Sequence, residues 1–470
     1  MSFYNLDTAF ARGRQPTLSP ERPGDGDLDE VAALALSRRK RLGRPALLAR
    51  LSIPLYYDAM TKRFIIVIQA LVVVAGLCAF TCLAQQAKSG DESRHATVPL
   101  YSTGNRAHVD LDFVRPDGST RRARFIVDTG GGAFILGEAL AKDIGLSPNG
   151  PEINEDGTRF APAPAPRACV GGLQLELQEG RVFIVPGTRS PMPGDDSEGT
   201  IPGHVLARNG TVVFDYPAGR FTIVKAGGME HDGRPLPSPV FQRSGFPRIE
   251  LELGGHSYGF LLDTGATYTM MSRELMDRWR AEHQDWKTAS GAAGLANMIG
   301  NKMETSALLM RIPEMKWGPF SIKDAGVVSR PAGTFERYMS GMMSAPIVGS
   351  IGGNVLRAFR IEIDYANGRV YLNQTGSMEA GDLDVVPITI SPVPGAGFLI
   401  TGVSSQFEGD AAASLRPGDK LVEIDNVTFK EATIFRALDG LKGKPGDMKV
   451  LTIERDGKTI KVAAKVIHLL

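Results

Sequence analysis

The stretch that decides the fold is Phe125-Ile-Val-Asp-Thr-Gly130, which recurs as Phe260-Leu-Leu-Asp-Thr-Gly265. Each copy is an apolar run, typical of a buried strand, that ends in Asp-Thr-Gly. At average residue usage this tripeptide is expected by chance only about 0.1 times in a chain of this length. Two copies in matching apolar contexts therefore indicate an internal repeat of two related halves.

A second pair of matching elements follows each copy. These elements are a short segment ending in glycine and an apolar-Asp-Tyr segment: Ile201-Pro-Gly203 with Val213-Phe-Asp-Tyr216, and Ser350-Ile-Gly352 with Glu362-Ile-Asp-Tyr365. Gly203 and Gly352 stand equally far before the aspartate that follows, so we align these two glycines. The repeat predicts two homologous lobes, at residues 96–226 and 240–375, joined by a linker rich in glycine and proline.

Alternating sequences in both halves indicate strands. His108-Val-Asp-Leu-Asp-Phe113 and Arg248-Ile-Glu-Leu-Glu-Leu253 place apolar side chains at every second position, which is the period of a half-buried strand. The chain also contains 54 glycines and 30 prolines, enough for the many turns that short strands need. We therefore predict a mainly β fold.

The repeated Asp-Thr-Gly indicates a site with two carboxyl groups. A strand that ends in this tripeptide presents a carboxylate at a sharp turn, where backbone N–H groups can hold it. Two related halves facing each other would bring Asp128 and Asp263 together. Two carboxyl groups so close cannot both ionise, so the pair shares one proton and provides one acid and one base. Such a pair suits the activation of a water molecule.

Residues 96–375 resemble the bacterial, retropepsin-like branch of the pepsin-type, two-lobed aspartic proteases. The resemblance is most specific at the two Asp-Thr-Gly copies and extends to the segments ending at Gly203 and Gly352. It implies that Asp128 and Asp263 are the catalytic residues and bind one water between them. The ionised carboxylate would take a proton from that water, and the neutral one would donate to the scissile carbonyl, without a covalent intermediate.

The resemblance also implies supporting roles for the other residues of the two turns. Threonine hydroxyls would cross-link the turns, and glycines would keep the carboxylates close to backbone donors; these residues are Thr129, Gly130, Thr264 and Gly265. It implies flaps over the substrate as well. No flap tip is assigned, but residues 290–300 and the segment near Gly157 are candidates for hairpins that close over substrate.

The chain departs from the pepsin pattern directly after each tripeptide. A hydroxyl residue often follows the glycine in that pattern, whereas Gly131 and Ala266 occupy these places here. Neither can donate a side-chain hydrogen bond that would stabilise an ionised carboxylate. We therefore expect a pH optimum less acidic than that of pepsin-like enzymes.

Residues 385–470 resemble a PDZ domain. The resemblance rests on Gly395-Ala-Gly-Phe-Leu-Ile400 and on Leu415-Arg-Pro-Gly-Asp, followed by a helical segment. It implies that a peptide with an apolar C-terminus adds as a strand beside Gly397, Phe398, Leu399 and Ile400. Deletion of the module is then expected to leave cleavage of short peptides measurable and to weaken cleavage of proteins whose free C-terminus is apolar. The alternative is that Phe398 and Leu399 are core residues of a module without a groove.

An apolar run at residues 64–84 is long enough to cross a bilayer. Basic residues precede this run and acidic residues follow it, so residues 1–63 are predicted to be a cytoplasmic tail and the remainder exported. The run is either a single-pass anchor in the inner (cytoplasmic) membrane or a signal peptide cleaved after Ala84, which would leave a soluble periplasmic protein. Part of the tail is a start-codon artefact if translation begins at Met60.

Composition excludes several classes of function. The formal net charge is +1, so no broad basic field exists for nucleic acid. The seven histidines show no metal-ligand spacing, and three cysteines exclude a disulfide framework. No metal or cofactor is expected, and no serine-elbow or phosphate-loop motif occurs.

The combined prediction is a transmembrane helix, a two-lobed pair of acid-protease β-barrels and a PDZ domain, in that order. The favoured function is an aspartic endopeptidase, membrane-anchored or periplasmic, whose PDZ domain selects protein or peptide substrates. The alternative is a non-catalytic periplasmic adaptor that binds peptides with the lobes and the PDZ domain. A serine-lysine protease is a third and weaker reading, because no matching segment occurs.

Overall fold

The computed structural model describes residues 94–470, apart from 156, 179, 193, 226–228, 298–303, 380, 394 and 430–431. The predicted tail and the apolar run at 64–84 lie outside the described residues. Among the described residues, no helix has both the length and the apolar character needed to cross a membrane.

The first half of the described chain is built from short strands and two short helices. In chain order these are β1 His95–Pro99, β2 Tyr101–Thr103, β3 Arg106–Val114, β4 Thr120–Asp128, β5 Phe134–Gly137, α1 Glu138–Asp143, β6 Ile153–Glu155, β7 Thr158–Ala163, β8 Ala168–Val170, β9 Leu173–Gln174, β10 Val182–Val185, β11 Gly199–Pro202, α2 Gly203–Arg208, β12 Thr211–Asp215 and β13 Arg220–Val224. Strands β2 to β11 form one sheet, in which β4 lies between β3 and β11. We call it the first sheet.

The second half repeats this plan with longer strands. Its elements are β14 Arg234–Pro237, β15 Val240–Phe241, β16 Phe246–Leu253, β17 His256–Leu262, β18 Thr269–Ser272, α3 Arg273–Glu282, β19 Thr288–Ser290, β20 Leu308–Trp317, β21 Phe320–Arg330, β22 Gly349–Ile351, α4 Gly353–Leu356, β23 Phe359–Asp364 and β24 Arg369–Gln374, with short 3₁₀ or π turns at Gly294–Ala296, Glu304–Ser306, Thr334–Tyr338 and Met339–Met342. Strands β15 to β22 form the second sheet, which closes into a barrel because β16 also pairs with β20.

A third sheet takes strands from both halves, in the order β1-β13-β12-β23-β24-β14. It joins the halves at its centre, where β12 and β23 pair antiparallel. Asp215 and Asp364 end these two strands, and each accepts a backbone N–H three residues later in the hairpin turn that follows. Their role is therefore turn formation, as their sequence context suggests.

The last part of the chain, the C-terminal module, follows directly. Its elements are β25 Asp384–Val385, β26 Ile388–Val393, β27 Gly397–Val403, α5 Asp410–Ser414, β28 Lys420–Ile424, β29 Val427–Thr428, α6 Ile434–Leu441, β30 Met448–Arg455, β31 Lys458–Lys465 and β32 Ile467–His468. Its main sheet runs β26-β27-β28-β30-β31. The described chain is thus mainly β, as predicted.

Burial follows the alternation of the sequence. In β3, Val109, Leu111 and Phe113 are fully buried, whereas the aspartates between them are partly exposed. In β16, the three apolar residues from Ile249 to Leu253 are buried and the intervening glutamates are exposed. Each such side chain contributes about 1.5–3 kcal/mol when it is removed from water. The two alternating sequences therefore form the predicted half-buried strands.

The alignment of Gly203 with Gly352 is wrong by one residue. Helix α2 begins at Gly203, whereas the corresponding helix α4 begins at Gly353. Pro202 pairs with Asp128, and the place of Pro202 in the second half is taken by Gly352. The equal spacing misled because α4 is two residues shorter than α2, whereas β23 is one residue longer than β12.

Candidate active site

The two Asp-Thr-Gly segments form matching turns. Asp128 ends β4, and Asp263 follows β17 directly. Strand β4 pairs parallel with β11, and β17 pairs parallel with β22, so each aspartate leaves its sheet in the same setting. The N–H of Gly130 donates to Oδ1 of Asp128 at 3.0 Å, and the N–H of Gly265 donates to Oδ1 of Asp263 at 3.1 Å. Each turn therefore holds its own carboxylate by the same hydrogen bond.

Reciprocal threonine hydrogen bonds lock the two turns together. The backbone N–H of Thr129 donates to Oγ1 of Thr264 at 3.2 Å, and the N–H of Thr264 donates to Oγ1 of Thr129 at 3.0 Å. Each hydroxyl then donates at 2.6 Å to a carbonyl of the opposite strand, that of Leu262 or of Val127. Both threonines are fully buried, so this arrangement fixes the separation of the aspartates.

Glycine is required where the turns meet. A Cβ atom at Gly265 would lie 2.3 Å from Cγ of Asp128, and one at Gly130 would lie 3.0 Å from Cγ of Asp263. Each carboxyl group therefore lies against the glycine of the other turn. Asp263 also hydrogen-bonds to Asp128. The structure thus brings the two aspartates into direct contact.

The surroundings of the pair favour a shared proton. Burial raises the pKa of Asp128 to about 6, and burial with repulsion from Asp128 raises the pKa of Asp263 to about 8. The Arg106 guanidinium and the N–H groups of Gly130 and Gly131 act on the pKa of Asp128 in the opposite direction. At neutral pH the pair therefore holds one proton.

These pKa values predict a bell-shaped pH profile for any reaction that needs one acid and one base. Below pH about 6 both carboxyl groups carry protons and no base remains, and above about 8 both are ionised and no acid remains. We expect kcat/KM for peptide cleavage to peak near neutral pH. Steady-state kinetics across the acidic to alkaline range measures this, and a maximum at strongly acidic pH would contradict it.

A buried charge cluster lies next to the aspartate pair. Nη1 of Arg106 lies 3.3 Å from Oδ2 of Asp195, and Nε2 of His108 lies 3.8 Å from the other oxygen of that carboxylate. All three side chains are almost fully buried. Burial alone would raise the pKa of Asp195, but the neighbouring His108 ring and the charge of Arg106 keep it below its usual range. No local motif marks these residues, because they meet only in the folded chain.

Both flap candidates lie between two antiparallel strands. The candidate at residues 290–300 follows β19, which pairs with β20 from Thr288 with Met310 to Ser290 with Leu308. Strands β6 and β7 pair from Ile153 with Phe160 to Glu155 with Thr158, so the segment near Gly157 is a hairpin tip.

In the described part of the other candidate, residues 291–297 are buried and contact the C-terminal module. There, Oγ1 of Thr389 donates to the carbonyl of Ala292, and the N–H of Ile390 donates to Oδ1 of Asn297 at 2.7 Å. The described part of this candidate is therefore not free, because small residues such as Ala292 let strand β26 pack directly on it, and residues 298–300 lie outside the described residues.

The residues assigned to peptide capture lie in a strand that is paired on both sides. Gly397, Phe398, Leu399 and Ile400 all pair with β26, and Phe398 and Leu399 also pair with β28. Ile400 completes its second side by hydrogen bonds with the segment before β28. Phe398 and Ile400 are fully buried. This strand has no free edge at these residues. The prediction that a peptide adds beside them as a further strand is therefore wrong, and the alternative, a module whose core they form and which has no groove, fits better.

Comparison with known families identifies the class of the second half. Residues 249–355 match the family described as aspartyl protease. The matched range runs from β16 to α4 and contains Asp263, Thr264 and Gly265, whereas Asp128 lies outside it. This range is therefore similar to aspartyl protease domains, which supports a hydrolase of the protease class. A search of curated proteins found no match.

Proposed function

We propose that the chain is a two-lobed aspartic endopeptidase in which Asp128 and Asp263 jointly activate a water molecule. One observation carries the proposal: the threonine cross-link holds the half-buried carboxyl group of Asp128 in contact with the buried one of Asp263, and the raised pKa values of both favour one shared proton near neutral pH. A pair kept only for packing would gain nothing from two such ionisable groups, because their burial costs free energy.

The proposed reaction follows from the proton count of the pair. With one proton shared, the ionised carboxylate removes a proton from water as the water oxygen bonds to the peptide carbonyl carbon. The protonated carboxyl group donates to the carbonyl oxygen, which gives a neutral tetrahedral intermediate. As the C–N bond breaks, the leaving amine takes a proton from the aspartate pair. One of the two hydroxyl groups of the intermediate gives its proton back to the aspartate pair and becomes part of the product carboxyl group. The pair thus ends with one proton, ready for the next cycle.

The cellular setting remains a proposal from the sequence. We propose that residues 64–84 anchor the chain in the inner membrane, or are cleaved after Ala84, with the catalytic part in the periplasm. We also propose that residues 385–470 are a PDZ domain and that the substrates are proteins or peptides. A peptide could add beside Phe398 only if strand β26 or strand β28 were displaced.

Class-specific inhibitors test the proposal. We expect a pepsin-type transition-state mimic to block peptide cleavage by the full-length chain, because its hydroxyl group takes the place of the attacking water between the carboxyl groups. Serine-directed reagents and chelators should have no effect. Inhibition by a chelator would overturn the mechanism. Tight peptide binding without any cleavage would instead favour the alternative, a non-catalytic adaptor.

A further inference from the structure

A tight hairpin turn places Arg106 beside the aspartate pair. Gly104 and Asn105, both with positive φ, form the two-residue turn between β2 and β3. His108 pairs with Ile126, so Arg106 lies level with Asp128, two residues further along the neighbouring strand. Its side chain is nearly fully buried. The register of the sheet therefore brings a buried positive charge next to the pair.

The turn is also hydrogen-bonded to the second Asp-Thr-Gly turn. Nδ2 of Asn105 donates to the carbonyl of Thr267 at 3.1 Å, and the N–H of Ala107 donates to the carbonyl of Thr264 at 3.2 Å. The backbone on both sides of Arg106 is thus tied to the turn that carries Asp263. The guanidinium lies close enough to both aspartates to lower the pKa of each.

Two groups beside the aspartate pair hold the guanidinium itself. One is Asp195, whose Oδ2 lies 3.3 Å from Nη1 of Arg106 and whose Oδ1 accepts the N–H of Ser197 at 2.8 Å. The other is the aromatic ring of Phe435, whose centroid lies 5.5 Å from the guanidinium carbon. Phe435 belongs to helix α6 of the C-terminal module.

Helix α6 contacts both elements that position Arg106. A Cβ atom at Gly104 would lie 2.0 Å from Cε1 of Phe435, so the ring lies directly against the turn. The N–H of Ile434 donates at 2.6 Å to the carbonyl of Gly194, next to Asp195. The start of this helix therefore contacts both the turn at Gly104 and the segment that carries Asp195.

We infer that Phe435 is a positioning residue for the proposed reaction: it holds the Arg106 guanidinium beside Asp128 and Asp263 and so sets the pH range in which the pair works. The inference rests on the proposed function for its kinetic readout. The other ionisable groups around the pair are Asp195 and His108, which bear on Arg106, and the buried hydroxyl of Tyr216, which lies near Asp263.

The sign of the effect follows from the charge. A positive guanidinium favours the ionised form of a carboxyl group and lowers its pKa. When the guanidinium is removed or moves away, both pKa values of the pair rise and the bell-shaped profile moves to higher pH. A loss of packing alone would lower activity at every pH without moving the profile.

Substitutions at Arg106 test the charge. Arg106→Met should move both limbs of the kcat/KM profile upward by about one pH unit or more, the size typical of a nearby opposite charge. Arg106→Lys keeps the charge and should retain most of the original profile. Equal profiles for Arg106→Met and the original chain would overturn the inference.

Substitutions at Phe435 test the positioning. Phe435→Ala should move the kcat/KM profile to higher pH, by a smaller amount than Arg106→Met does. Phe435→Leu keeps apolar bulk without the ring, and its profile should lie between those of Phe435→Ala and the original chain. Arg436→Ala is the matched control, because Arg436 is exposed on the same helix. In the Arg106→Met background, Phe435→Ala should cause no further shift. A shift of equal size in both backgrounds would show that Phe435 does not act through Arg106.

Direct titration separates this inference from the proposed function. NMR of isotope-labelled aspartate carboxyl groups in the full-length chain reports the ionisation of the pair without catalysis. If no peptide is cleaved but Arg106→Met and Phe435→Ala still raise the titration midpoints, the proposed function fails and the positioning holds. If cleavage depends on both aspartates but these midpoints do not move, the positioning fails and the proposed function holds.

Discussion

Replacing either Asp128 or Asp263 with asparagine is expected to lower kcat/KM for an unstructured peptide by about 10²–10⁴-fold, the range typical of a lost general acid or base. An amide is nearly isosteric with a carboxyl group but cannot accept or share the catalytic proton. The fold should persist, because the threonine cross-link does not involve either carboxyl group. Peptide cleavage assays and thermal unfolding by circular dichroism measure the two effects.

Asp215→Asn is the matched control for these variants. Asp215 also ends a strand, but its carboxylate caps a hairpin turn and pairs with Arg220 at 2.9 Å. Cleavage by this variant should equal that of the original chain. A loss confined to Asp128→Asn or to Asp263→Asn alone would contradict a shared proton, since both members of such a pair are needed.

Deletion of residues 385–470 is expected to abolish folding of the second half, and with it all cleavage. One apolar core runs from the second sheet into the module, with buried residues such as Leu261, Leu295, Val385 and Ile390 in a single cluster. Loss of a buried large apolar residue costs about 2–5 kcal/mol, and a whole domain is stable by only about 5–15 kcal/mol. The expectation that short-peptide cleavage survives this deletion is therefore reversed. Soluble yield, circular dichroism and short-peptide cleavage measure the outcome.

Point variants give a graded version of this experiment. Leu295→Ala should lower the free energy of unfolding by about 2–5 kcal/mol, because Leu295 is buried where the second sheet meets the module. Val427→Ala is the control, since Val427 is 41% exposed and its truncation should change stability by less than about 0.5 kcal/mol. A truncated chain that folds cooperatively and cleaves short peptides would show that the module is separable.

The candidate site was predictable from the sequence to the extent that its signals are local. A period of two in residues 108–113 and 248–253 is a property of neighbouring residues, and it predicted strands correctly. The repeat of Asp-Thr-Gly identified the two turns, because a turn is built by adjacent residues. The repeat also suggested that Asp128 and Asp263 face each other, since related halves commonly pack symmetrically.

The features that the sequence did not reveal depend on contacts between residues far apart along the chain. The alignment of Gly203 with Gly352 failed because helix and strand lengths, which the spacing does not show, differ between the halves. Peptide capture at residues 397–400 was expected because the sequence of a strand does not tell which neighbour pairs with its edge. Strand β26 occupies that edge in the folded chain.

The sequence by itself determined the mainly β character and the two aspartates at their turns, because strand alternation and turn chemistry are encoded within a few residues. Only the tertiary structure decided how strongly the pair is buried, that Arg106 lies beside it and that helix α6 braces Arg106 through Phe435. These features depend on sheet register and on packing between segments more than 300 residues apart along the chain, from Gly104 to Phe435. The burial and charge that set the pKa of a carboxyl group arise from such long-range contacts, and local sequence does not contain them.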